Sequence, residues 1–125
     1  MNLEIVRELL TMLKTNEGAE NNNNFAALAT VIKSSGSAPR EDGACMLIKE
    51  TGEIVGTIGG GIVEKKVIEK SLALMEKNSR VLRSTFDLSN QEVAQTGGVC
   101  GGKVEVLLEI INLQKGAADH ETVKS

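Results

Sequence analysis

Aromatic side chains are almost absent from this chain of 125 residues. It contains two phenylalanines, and it has neither tryptophan nor tyrosine. Proteins that bind single-stranded nucleic acid stack bases on aromatic rings, and a basic surface attracts the phosphate backbone. This chain has a formal net charge of −3 and offers neither feature. We therefore expect no nucleic-acid partner.

Histidine is nearly as scarce, since His120 is the only one and lies in a polar tail. Serine and cysteine nucleophiles commonly need an adjacent base, and most zinc sites use histidine or paired cysteines. The two cysteines, Cys45 and Cys100, form neither a CxxC motif nor a zinc-ligand spacing. The sequence therefore disfavours a triad, a zinc site and an enzyme, and a thiol-dependent enzyme acting through Cys100 is the least favoured alternative.

Long apolar runs are also missing. None approaches the ~20 residues that span a bilayer, and the N-terminus lacks the apolar block and small-residue cleavage site of a signal peptide. We expect a cytoplasmic protein with no membrane partner and with two separate thiols. The length predicts one domain.

The apolar periodicity predicts an α/β fold. One helical stripe predicts an amphipathic helix within residues 1–15, and it consists of Leu3, Val6, Leu9, Leu10 and Leu13. Strands are expected at residues 25–33, 44–49, 53–58, 80–87 and 103–111, with a long helix ending near Asn78 and a short helix within residues 88–97. These elements predict a single two-layer domain over residues 1–113, in which helices cover a mixed β-sheet, followed by a disordered tail over residues 114–125.

Three consecutive glycines, Gly59–Gly61, join a predicted strand to the start of a helix. Bare backbone amides at a helix N-terminus favour a phosphate or another anion. The sequence matches neither the Walker A pattern nor GxGxxG. A tight turn or a bulge where two backbones meet is an equally good explanation of one glycine cluster.

A second glycine cluster surrounds Cys100, with Gly97 and Gly98 before it and Gly101 and Gly102 after it. A thiolate in such a loop suits a soft metal or an electrophile. The alternative is a cysteine that fills a small hole under the loop. Cys45 lies in a strand pattern instead, which favours core packing.

Two charged residues near these loops are further candidates. Arg40 follows Pro39 and has the geometry to bind a phosphate with two hydrogen bonds, although an exposed ion pair with Glu41 or Asp42 is as good an interpretation. Glu64 lies in the first turn of the predicted long helix, where a carboxylate suits the helix dipole.

Three segments in this order and spacing resemble the N-terminal domain of the xanthine dehydrogenase accessory factor family, of the XdhC/CoxI type. They are "ATVIKSSGSAPREDGACMLI", "GEIVGTIGGGIVE" and "GGVCGGKVEVLLE", and the similarity covers roughly residues 25–110. Members of that family look like chaperones of the molybdenum cofactor (molybdopterin). They assist its sulfuration with a cysteine desulfurase and deliver it to xanthine dehydrogenase-like hydroxylases, and many are dimers.

The resemblance implies an accessory protein for molybdenum hydroxylases, with a homodimer expected. It implies a cofactor-binding set that matches the family motifs position by position: Ser37, Arg40, Gly59, Gly60, Gly61, Glu64, Cys100, Gly101 and Gly102. Cys100 would be the molybdenum ligand. The chain departs from the pattern at Ile62, where the family usually has cysteine, and at Cys45, where arginine is common.

The Ile62 departure favours an alternative function. In that interpretation the domain binds no cofactor and docks on a cysteine desulfurase, on the hydroxylase or on a separate Rossmann-domain partner. Typical family members continue into a Rossmann-like domain, which is not present among these 125 residues.

Overall fold

The structure, a computed structural model, describes residues 2–16, 25–36, 42–77, 79–87 and 102–113. Within these ranges the chain forms two helices and five strands. Their bounds, in chain order, are α1 Leu3–Asn16, β1 Phe25–Gly36, β2 Cys45–Lys49, β3 Ile54–Gly56, α2 Gly61–Glu76, β4 Val81–Asp87 and β5 Gly102–Asn112. The predicted short helix in residues 88–97 and the predicted tail lie outside the described residues.

The five strands form one sheet in the order β3-β2-β1-β5-β4. The predicted α/β domain with helices covering a sheet is confirmed, but the pairing differs from the expected mixed sheet. All four strand pairings are antiparallel. The reason is that β5 inserts between β1 and β4 and runs opposite to both of them.

The central strand β1 has apolar side chains on both faces, as its nearly continuous apolar sequence predicts. Ala27, Ala29 and Val31 belong to the core cluster that contains the buried side of α2. Ala26 and Leu28 alternate with them and belong to the cluster that contains Ile5 and Met12 of α1. The helices therefore cover opposite faces, and the sheet is a middle layer where two layers were expected.

Helix α1 uses a different side against the sheet from the one its sequence pattern predicts. Ile5 and Met12 are buried, with Leu9 packed beside them. The other members of the predicted stripe are exposed, namely Leu3, Val6, Leu10 and Leu13. The apolar arc of α1 is wide enough for two stripes, and the sheet covers only one of them.

Two polar contacts stabilise α1 in this position. The side-chain oxygen of Asn2 accepts the backbone N–H of Ile5 at 2.9 Å, which caps the first turn. Glu8 forms an ion pair with Lys49 of β2 at 2.7 Å. Of these two contacts, only the ion pair joins the helix to the sheet, and Glu8 lies on the side of α1 that carries Ile5 and Met12.

Several local predictions are confirmed. The β2–β3 hairpin turns at Gly52, which has φ +92°. Strand β4 alternates as expected, since Leu82, Ser84 and Phe86 are partly buried while their neighbours are exposed. Helix α2 buries Val63, Val67, Leu74 and Met75, and fully burying an aliphatic side chain contributes about 1.5–3 kcal/mol.

Candidate functional site

The three segments that carry the sequence motifs leave the sheet in the same direction, at two different levels along the strands. Strand β1 ends at Gly36 and β2 begins at Cys45, so the segment between them connects the two strands. Strand β3 ends in the same direction at Gly56, just before the glycine run, but Gly56 is level with Ala29 of β1, seven residues before Gly36. Strand β5 starts at Gly102, which lies directly opposite Gly36. Segments that are far apart in sequence therefore leave the sheet on the same side.

The turn from β3 to α2 is organised around one carboxylate. Oε2 of Glu64 accepts the backbone N–H of Ile58 at 3.1 Å and that of Gly60 at 2.8 Å. The same oxygen accepts a hydrogen bond from the hydroxyl of Thr57. The Thr57 hydroxyl oxygen in turn accepts the backbone N–H of Gly59 at 3.1 Å. Glu64 thus acts as an anion supplied by the chain itself to the amides of this turn.

The glycine run is required by backbone conformation. Gly60 is the N-cap of α2 and has φ +79° and ψ −174°, a combination that is essentially restricted to glycine. A Cβ added at Gly60 or Gly61 would meet no described atom within 4 Å. No second backbone approaches these two glycines in the described part of the chain, so the turn conformation accounts for their presence.

Gly56 is the position where two backbones do meet. A Cβ there would lie 2.8 Å from the carbonyl oxygen of Cys45 and 3.3 Å from a methyl carbon of Ile5. Its φ is +85°, which also favours glycine. Gly56 therefore allows the end of β3 to approach β2 and the first turn of α1.

A pocket of about 540 Å³ lies beside this junction. It is lined by the segment that precedes β2, by the end of β3 and by the start of α1. Its lining residues are Asn2, Glu4, Asp42, Gly43, Ala44, Cys45, Gly56 and Thr57. The pocket thus contacts residues of the first two of the three sequence motifs. Sequence patterns indicated neither Thr57 nor the two N-terminal residues, because no local spacing connects them with the glycine run.

Cys45 has the packing role that its strand pattern predicts. It belongs to the α1-side core cluster and is 9% exposed. Its thiol donates to the carbonyl oxygen of Gly43 at 3.3 Å and lies 3.6 Å from the Thr30 hydroxyl. Both contacts are made inside the fold, so the Cys45 thiol already has its partners there.

Four of the predicted cofactor residues lie outside the described residues: Ser37, Arg40, Cys100 and Gly101. Their roles stay predictions. The described members of the set divide between two places, with Gly59–Gly61 and Glu64 at the β3–α2 turn and Gly102 at the start of β5. Gly36 and Gly102, which adjoin the segments of Ser37 and Cys100 in the sequence, are directly opposite each other.

Ile62, at the position where the resemblance expects cysteine, packs partly buried against the α2-side core cluster. Across the described ranges, no group of three or more histidine, cysteine, aspartate or glutamate side chains is arranged to hold a metal ion. No helix in these ranges is long and apolar enough to cross a membrane.

Comparison with known proteins identifies the family of this chain. Residues 19–85 match the XdhC and CoxI family. The chain is 42% identical over 85 residues to the uncharacterised protein YqeB of Escherichia coli. It is 34% identical over 92 residues to a probable xanthine dehydrogenase subunit of Bacillus subtilis. These alignments cover 67% and 72% of this chain.

The fold also matches a solved structure. The crystal structure of a xanthine dehydrogenase from Bacillus halodurans superposes with a TM-score of 0.61 over 84% of this chain, at 30% sequence identity. The matches span 15% of YqeB, 28% of the Bacillus subtilis protein and 31% of the solved chain. The similarity therefore concerns one part of longer proteins.

Proposed function

Because the chain belongs to the XdhC and CoxI family, we propose that it is an accessory protein in the maturation of molybdenum hydroxylases of the xanthine dehydrogenase type. In this role it binds molybdenum cofactor or hands it over. Two relatives support the link to these enzymes, since one is named a probable xanthine dehydrogenase subunit and the other a xanthine dehydrogenase. Partners of this role are a hydroxylase, a cysteine desulfurase and a second copy of the chain in a homodimer.

The observation that supports this proposal is that Gly36 and Gly102, which end the described parts of the first and third motif segments, lie directly opposite each other. The second motif segment leaves the sheet in the same direction. A cofactor with an anionic phosphate and a soft metal centre needs amides or a guanidinium near a sulfur ligand. In the sequence, Ser37 and Arg40 follow β1, and Cys100 and Gly101 precede β5. When bound, the cofactor supplies the molybdenum and dithiolene chemistry, and this chain supplies binding and orientation.

The β3–α2 turn fits an anion, with one constraint. Two of its amides already bind the Glu64 carboxylate, and a third binds the Thr57 hydroxyl. A phosphate at Gly59–Gly61 must therefore displace Glu64 or bind beside it. We assign the turn and Glu64 to the cofactor site on this basis, with Glu64 as the internal anion that the phosphate replaces.

Co-purification tests the proposal. The full chain is produced in a host that makes molybdenum cofactor, and bound molybdopterin is measured as its fluorescent oxidation product. We expect bound cofactor with the unchanged chain and a large loss with Cys100→Ser. Cys45→Ser is the matched control, because the Cys45 thiol is packed in the core and should not contribute to binding. No cofactor in the unchanged chain would contradict cofactor binding, and equal amounts in the two variants would contradict the role of Cys100 as a ligand.

A cofactor-free interaction module is the second candidate. The observation in its favour is that the described turn satisfies its own amides through Glu64 and Thr57, while Ile62 packs against the core. In this case the domain retains a hydroxylase, a desulfurase or a separate Rossmann-domain protein without cofactor. A pull-down from the same host, assayed for both protein and molybdopterin, distinguishes the two functions.

A further inference from the structure

We draw no further inference here: the strongest candidate, the exposed aliphatic stripe of Leu3, Val6, Leu10 and Leu13 on the outer side of α1, carries no proposal because nothing in the described part of the chain shows what covers it.

Discussion

The carboxylate of Glu64 accepts the backbone N–H of Gly60 at 2.8 Å across the first turn of α2. The contact resembles the return hydrogen bond of a capping box, which a glutamate makes to the N-cap residue. Here the N-cap is glycine and has no side-chain cap of its own. One oxygen of Glu64 therefore caps both the turn and the helix.

We expect Glu64→Ala to lower the free energy of unfolding by about 2 kcal/mol, because hydrogen bonds to a charged acceptor contribute roughly 1.5–3 kcal/mol. Glu64→Gln should cost less, since its carbonyl oxygen still accepts one of the donors. Urea denaturation measures both changes. Glu69→Ala, exposed on the same helix, is the control, and an equal loss in that variant would show that the hydrogen bonds contribute little.

The same residue provides a functional prediction. If the phosphate of the cofactor replaces the Glu64 carboxylate, Glu64→Gln should raise the amount of co-purified molybdopterin, because the competing negative charge is removed. Glu69→Gln should have no such effect. A lower amount of cofactor in Glu64→Gln would indicate instead that the carboxylate positions the turn for binding.

Gly56→Ala should lower the free energy of unfolding by about 1–3 kcal/mol more than Gly52→Ala. Both glycines have positive φ, so both variants carry backbone strain. Only at Gly56 does the added Cβ meet a backbone atom, the carbonyl oxygen of Cys45 at 2.8 Å, whereas the space around Gly52 is open. Thermal or urea unfolding of the two variants gives the difference, and similar losses would argue against a close approach at β3.

Ile5→Ala should destabilise the fold by about 2–4 kcal/mol, because Ile5 is fully buried between α1 and the sheet. Leu10→Ala should change stability by under about 1 kcal/mol in dilute solution, since Leu10 is 53% exposed. Denaturant titration of both variants checks which side of α1 faces the core. Comparable losses in the two variants would indicate that the side of α1 predicted from the sequence also packs against the core.

Ser71→Ala should raise the free energy of unfolding by about 1 kcal/mol. The hydroxyl of Ser71 is fully buried in α2 and has no hydrogen-bond partner among the described residues. Removing a buried unsatisfied polar group is favourable, and alanine is also the better helix former. Ala73→Ser, at an exposed position of the same helix, measures the effect of helix propensity alone. It should lower the free energy of unfolding by about a few tenths of a kcal/mol. A destabilised Ser71→Ala variant would reveal a partner for the hydroxyl.

The candidate site was predictable only in part. The glycine run, the helix that follows it and the position of Glu64 in the first helical turn are all visible in the chain, and the structure has them. The hydrogen bonds from Thr57 and Ile58 to Glu64 were not predictable, because they depend on how β3 bends into α2. The roles of Arg40 and Cys100 stay predictions, since both residues lie outside the described ranges.

The sequence by itself determined the features that depend on neighbours along the chain. Apolar residues at nearly every position of β1 predict a strand covered on both faces, Gly52 marks the hairpin, and the alternation in β4 separates its two sides. Tertiary structure decided which side of α1 is buried. The apolar arc of this helix is so wide that either of two sides is apolar enough to pack against the sheet. Tertiary structure also decided the antiparallel pairing and the position of Gly36 opposite Gly102, because strand order depends on contacts between residues far apart in the chain.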